Sequence, residues 1–279
     1  MSARADPATP RALARLYCPP AQAPVLAALL GIEAEIGAAL QAGLEHQVAH
    51  ARLGFWREEC VRLAAGAPQH PLTRALAAHF AGTARAALAR VGGLVDLATW
   101  DLAGATFGAR RELSGYCERW SAALMVPLAR AVLPDVPPET LAFGAALKEL
   151  ELLLALTADA RAGRVRLPLD ELESAAVAPA ELTGATAGAA LTRLLAEAHA
   201  RARRALMAAT CAPAAQPALR ALLVWGRMSA RLSGRAQAAL PRLAGPGDHQ
   251  RPLDGLIAWR IARRADRGRL GSADADGNP

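Results

Sequence analysis

From Ala155 to Leu172 the chain reads ALTADARAGRVRLPLDEL. Asp159 stands four residues before a Gly163-Arg164 pair, Arg161 and Arg166 flank that exit, and Leu167-Pro168 stops it. A carboxylate followed by guanidinium groups at the end of a helix suits a metal–diphosphate ligand. The acid would bind a cation, and the arginines would bind phosphate oxygens through charge-assisted hydrogen bonds. Such a site needs several carboxylates at three- or four-residue spacing, so that they face one cavity. From Ala155 to Ala158 there are none.

Other chemistries find less. His46 and His50 are four apart, on one helix face, without an acidic third ligand; His70, His79, His199 and His249 fit no metal-ligating spacing. Ser114 and Ser121 lie within a helical pattern rather than a strand–turn–helix nucleophile elbow. Glycine-rich phosphate loops and dinucleotide fingerprints are absent. Cys18, Cys60, Cys117 and Cys211 form no C-x-x-C pair and read as buried free thiols in a reducing compartment.

The elements that must position these residues are helices. Apolar residues make up 53% of the 279, and aromatics only 4%. Ala and Leu dominate, which favours helix over strand. Apolar periodicity and Pro/Gly breaks predict helices over 22–40, 47–65, 71–91, 93–104, 109–132, 139–160, 184–210, 214–234 and 252–266. Pro127 should kink or shorten the fifth of these. Residues 1–13 and 269–279 read as disordered, and 14–268 as one helical domain.

The net charge is +7, with 32 Lys and Arg against 25 Asp and Glu, and Lys148 is the single lysine. The arginines are spread along every segment and no nucleic-acid motif accompanies them, so nucleic acid is not an expected partner. No secretory leader is recognisable, and no apolar run reaches the roughly 18–20 residues of a membrane span. The 22–32 segment is the most apolar candidate for membrane contact. The expected location is the cytoplasm, peripheral to the inner membrane.

Several blocks resemble, in order, the squalene/phytoene synthase family, whose members join two prenyl diphosphates head to head. They are LYCPPAQAPVLAALLGIEAEI (16–36), HARLGFWREECVRLAAG with HPLTRAL (50–66, 70–76), GGLVDL (92–97), RELSGYCERWSAALM (111–125) and FGAALKELELLLALTADARAGRVRLPLDEL (143–172). The resemblance implies an all-α, single-domain bundle of the isoprenoid-synthase type with a central cavity. It also implies two aspartate-rich motifs on facing helices, which hold Mg²⁺ ions against the diphosphate.

Residue by residue, the motifs are eroded. The first falls on Gly37, Ala38 and Gln41, with Glu33 and Glu35 slightly upstream on different helix faces. The second falls on Ala155, Ala158 and Asp159, so Asp159 alone remains as a metal ligand. Lys148 and Glu151 stand where the family has Gln and Asn, and Arg166 where it has Tyr. Tyr116 matches a tyrosine that family members place in the active cavity; read without the family, it is a core tyrosine on an apolar face. The pattern resembles most the degenerate subgroup of complex I assembly factors and their bacterial relatives, with IEAEI, GFWRE and PLDGLIAWRIARR in the corresponding places.

Three readings follow. The first is a non-catalytic protein with Asp159, Arg164, Tyr116 and Arg161 as ligand-binding residues and no cofactor. Its partner would be a prenyl diphosphate or other isoprenoid lipid, or else a membrane surface or membrane-complex subunit. The second is an active Mg²⁺-dependent prenyltransferase on farnesyl or geranylgeranyl diphosphate, with Tyr116 in the catalytic cavity. The third is a helical interaction module whose resemblance is historical.

Overall fold

Thr9 accepts a hydrogen bond from the Ala12 amide (3.2 Å) and Pro10 occupies the first helical position, so a helix starts there. This helix, α1 (Pro10–Leu16), begins inside the segment 1–13 expected to be disordered, and its Leu13 and Ala14 are buried. The computed structural model describes residues 9–41, 43–209, 212–243 and 245–271. The rest of both expected disordered ends, and Cys211, lie outside the described residues. At the other end Leu270 is buried, and its amide donates to Gln216 Oε1 (3.0 Å), so the ordered fold runs past 268.

The fold is all-α. After α1 come α2 (Ala23–Gly37), α3 (His46–Ala65), α4 (Pro71–Ala77), α5 (Gly93–Leu102), α6 (Arg110–Arg130) and α7 (Glu139–Leu154). Then follow α8 (Leu156–Arg161), α9 (Leu169–Ser174), α10 (Ala189–Ala208), α11 (Arg220–Ala239) and α12 (Asp254–Asp266). Among the described residues the only β pairing is an isolated bridge between Thr186 and Arg242.

The predicted helix over 71–91 is two elements: α4 stops at Ala77, and a 3-10 segment runs from Gly82 to Gly92. The predicted helix over 139–160 is interrupted at Ala155 (φ −92°, ψ 0°). Leu152, Leu153, Leu154 and Leu156 are all buried, more than one helical stripe carries, and the break falls among them. Helix α6 runs on through Pro127 to Arg130.

Helices α6 and α7 form the central packed pair, with α10 and α11 against α7 and α1 against α11. Their approach depends on Gly144, where a Cβ would sit 2.2 Å from Ser121 Oγ. The segment Ala23–Leu40 is by length and composition apolar enough to cross a membrane, contrary to the sequence expectation. In this fold it is core: Val25, Leu26, Ala28, Leu29, Ile32 and Ile36 are buried. The exposed large apolar side chains lie elsewhere, among them Leu253, Leu256 and Trp259 around α12. Cys18, Cys60 and Cys117 are buried free thiols, and burial raises each pKa, to about 11, 12 and 12.

One carboxylate holds the corner between α3 and α4. Buried Glu59 accepts from the amides of Gln69 and His70 (2.8 Å each), from Arg62 Nε (2.8 Å) and from the Thr73 hydroxyl. Burial pushes its pKa up, but these donors outweigh burial and hold it at about 2, below the ordinary 4.5. A carboxyl with a depressed folded pKa stabilises fully above its unfolded value. That contribution is lost as pH falls from about 4.5 towards 2. Glu59→Gln is expected to cost about 2–4 kcal/mol at neutral pH. Urea unfolding at pH 7 and pH 3 checks this: the gap between variant and wild type narrows at pH 3, and a constant gap would rule out the ionised carboxylate as its source.

Candidate functional site

Two charge clusters lie where the resemblance leads one to look. The first is built by the end of α8. Gly163 takes the left-handed conformation (φ +79°), which glycine adopts without Cβ strain. Its amide bonds to Ala160 O (3.0 Å) and that of Arg164 to Asp159 O (2.8 Å), a Schellman closure. The chain reverses, and the Arg164 side chain returns to Asp159: Nε and Nη2 donate to Oδ1 at 3.1 and 2.8 Å. Two residues on, Arg166 Nε donates to the other oxygen, Oδ2 (3.3 Å).

Arg166 carries the cluster inward. Its Nη1 and Nη2 donate to the two carboxylate oxygens of Asp101, at the end of α5, at 2.6 and 3.1 Å. Both side chains are nearly dry, 6% and 7% exposed. The Tyr116 hydroxyl, from α6, donates to Asp101 Oδ2 (3.0 Å), and its ring lies 5.7 Å from the Arg166 guanidinium carbon. Burial, then the Asp101 charge, pushes the phenol pKa up, so Tyr116 is a hydrogen-bond donor at every physiological pH. Trp100, stacked on Phe107 at 4.7 Å, completes an aromatic wall around Tyr116.

The structure thus brings Tyr116, Asp159 and Arg164 together and leaves Arg161 out. Arg161 donates to the carbonyls of Thr183 (3.0 Å) and Gly184 (3.4 Å), on the neighbouring loop. A trio of arginines at one cavity mouth, as the sequence suggests, is therefore not what forms.

The second cluster joins the helices on which the two acidic motifs are expected. Glu33 of α2 and Glu151 of α7 are bridged by the Arg11 guanidinium of α1. Nη1 and Nη2 donate to Glu33 at 2.6 and 3.2 Å; Nε and Nη2 donate to Glu151 at 2.9 and 2.8 Å. The buried indoles cap the same acids, Trp120 Nε1 to Glu33 (2.8 Å) and Trp225 Nε1 to Glu151 (3.1 Å). Lys148 Nζ lies 3.7 Å from Glu151 and 5.1 Å from the Trp120 ring. Burial pushes the Glu151 pKa up, but Arg11 and Lys148 outweigh it and hold the carboxyl below its ordinary value.

Glu35, two residues from Glu33, faces away and meets the His70 ring (3.4 Å), in agreement with the different helix faces expected. Gly37 and Gln41 are exposed, and α2 ends at Gly37.

A magnesium cluster does not fit these donors. No three His, Cys, Asp or Glu side chains converge among the described residues. Each carboxylate in the two clusters is met by an arginine: Asp101 and Asp159 by Arg164 and Arg166, Glu33 and Glu151 by Arg11. Each of these acids already accepts three hydrogen bonds, on a group with about four lone-pair sites, which leaves little for a hard cation. His46 and His50 meet (Nε2 to Nε2, 2.9 Å) on an exposed face, as their spacing suggests, with no third ligand.

Sequence reasoning missed Asp101 and the bridging role of Arg11. The block singled out was GGLVDL, whose Asp96 is exposed and pairs with Arg57 (3.3 Å). The next Asp-Leu, five residues on, is the one that enters the cluster. Thr9-Pro10 is a helix-start signal that would have placed Arg11 in a structured element.

A family model for squalene/phytoene synthase matches residues 5–245. A crystal structure of a dehydrosqualene synthase in complex with ligand is similar over 91% of this chain and 90% of that one, with TM-score 0.76 and 15% identity. A squalene synthase HpnC from Alicyclobacillus acidocaldarius is similar over 81% and 87% respectively, with TM-score 0.64 and 18% identity. No curated protein sequence matches the chain.

Proposed function

Because the chain belongs to the squalene/phytoene synthase family, we propose that it is a non-catalytic member, one that binds a prenyl diphosphate or other isoprenoid lipid without ionising it. The observation that carries this reading is Arg11. A guanidinium from the chain itself sits between Glu33 and Glu151, on the helices that lead into the eroded motifs. A fixed cation there spends four of its five N–H donors on the chain's own acids, and with Lys148 balances their charge, which leaves little for a leaving group. In the other cluster two carboxylates face two guanidinium groups, so little net charge is left for a metal.

Binding without turnover assigns limited roles. Arg164, 27% exposed, uses Nε and Nη2 on Asp159; its Nη1 has no protein acceptor among the described residues and would donate to a phosphate oxygen. Tyr116, Trp100 and Phe107 would offer the aromatic surface against which a prenyl chain packs. We place the protein in the cytoplasm, peripheral to the inner membrane, where isoprenoid lipids reside.

A second reading, an active head-to-head prenyltransferase, draws on the convergence of Tyr116, Asp159 and Arg164. It would need Mg²⁺ held by fewer acids than the family uses.

Incubation of the purified protein with farnesyl and geranylgeranyl diphosphate, with and without Mg²⁺, separates the readings. The expected result is binding with no pyrophosphate release, weakened several-fold in Arg164→Ala. Mg²⁺-dependent release with a condensed product establishes the enzyme. Neither binding nor release points to a membrane-complex subunit, the partner implied by the likeness to assembly factors.

A further inference from the structure

On the outer face of the bundle, α10 and α11 enclose a cleft of about 660 Å³, a size usual for small-molecule sites. Five of its ten lining residues are arginine: Arg203 and Arg204 from α10, Arg231 and Arg235 from α11, and Arg251 before α12. Lys and Arg together number 32 in 279 residues, so the cleft is far richer than the chain. Four of the other five are Ala or Gly, which leave the floor open. The cleft is remote from the candidate site: Gly234 in its floor is about 180° around α11 from Trp225, at 100° per residue.

Among the described residues, few carboxylates face these arginines. Helix α11 has no acidic residue, and α10 has only Glu197, before the cleft-lining turns. The one carboxylate at hand, buried Asp254, is bidentate to Arg235 (2.8 and 2.6 Å) and also accepts from the Arg251 amide (3.0 Å). Arg203 is braced by the Ser233 hydroxyl (3.2 Å) and the Gln237 amide oxygen. Arg204, Arg231 and Arg251 form no salt bridge among the described residues, and the buried Arg231 Nε has no hydrogen-bond partner. Burial, and then the neighbouring Arg235, depress the pKa of Arg231, and the opposing charge of Asp254 does not make up the difference.

We propose that this cleft binds a phosphate-bearing anion. Planar guanidinium groups match phosphate oxygens in pairs, and an anion relieves the mutual repulsion of the unpaired arginines. The inference is independent of the reading of the central site. Its phosphate comes either from a soluble ligand or from a lipid headgroup, and one pair of assays distinguishes them.

The probes are inorganic pyrophosphate, by calorimetry, and phosphatidylcholine vesicles with and without phosphatidylglycerol, by flotation. The double variant R204Q/R251Q removes two exposed charges and is expected to keep the wild-type circular dichroism. Saturable pyrophosphate binding, weakened at least about tenfold in that variant, supports a soluble ligand. Flotation only with phosphatidylglycerol, lost in the same variant, supports a headgroup. The proposal is overturned by no binding of either probe, or by binding that R204Q/R251Q and R231Q leave unchanged.

Discussion

Replacing Arg11 with alanine is expected to lower the free energy of unfolding by about 3–5 kcal/mol, the usual cost of stranding a buried ionic partner. Glu33 and Glu151 are only 17% and 18% exposed and share one guanidinium, so its loss leaves two facing carboxylates with Lys148 as their nearest cation. The effect belongs to the stranded charges more than to the bridge. The triple variant R11M/E33Q/E151Q keeps acceptors for the Trp120 and Trp225 indoles while removing the charge, and should recover most of the loss. If Arg11 takes the place of a cation between the two helices, vacating it should create a weak one. Thermal unfolding of R11A then shifts upward in millimolar Mg²⁺ while that of the wild type does not. A Mg²⁺ response equal in both proteins would break the link between Arg11 and the eroded motifs.

The helical class was legible because Ala and Leu saturate the chain and its Pro and Gly breaks fall at real element ends, as at Gly163. Tyr116, Asp159 and Arg164 were legible because they belong to blocks whose order matches the family. What escaped has a common cause: partners distant in sequence. Asp101 and Arg166 are 65 residues apart, and Arg11 and Glu151 are 140 apart. Helical periodicity speaks of a face, not of what lies across it. Arg166 itself was noted only as a departure from the family's tyrosine, yet it is the most buried cation of the cluster. The break at Ala155 was illegible for a similar reason. ELLLALTADA is mostly strong helix formers with no Gly or Pro to mark a break, and the interruption falls among four buried leucines in five positions.

Arg166 sets the other large expected effect. A guanidinium 6% exposed, bidentate to Asp101 and in contact with Asp159, is what lets two acids approach the aromatic wall of Tyr116. Arg166→Ala leaves Asp101, 7% exposed, with the Tyr116 hydroxyl as its one remaining side-chain donor, while Asp159 keeps Arg164. The cost should be about 3–5 kcal/mol, and larger than that of Arg164→Ala, whose guanidinium is 27% exposed and serves one acid. Arg166→Lys tests the geometry rather than the charge. An ammonium is a point charge without the planar fork, so it can serve Asp101 or Asp159 but not both in the observed arrangement. Its expected loss lies between those of the wild type and the alanine variant, and a double variant R166M/D101N should lie closer to the wild type than R166A does. Urea unfolding of the wild type and these variants gives the order. If R166K matches the wild type, charge alone holds the cluster and the fork is incidental. If R166M/D101N is no better than R166A, the cost comes from lost packing, and the buried acid is not what makes the arginine necessary.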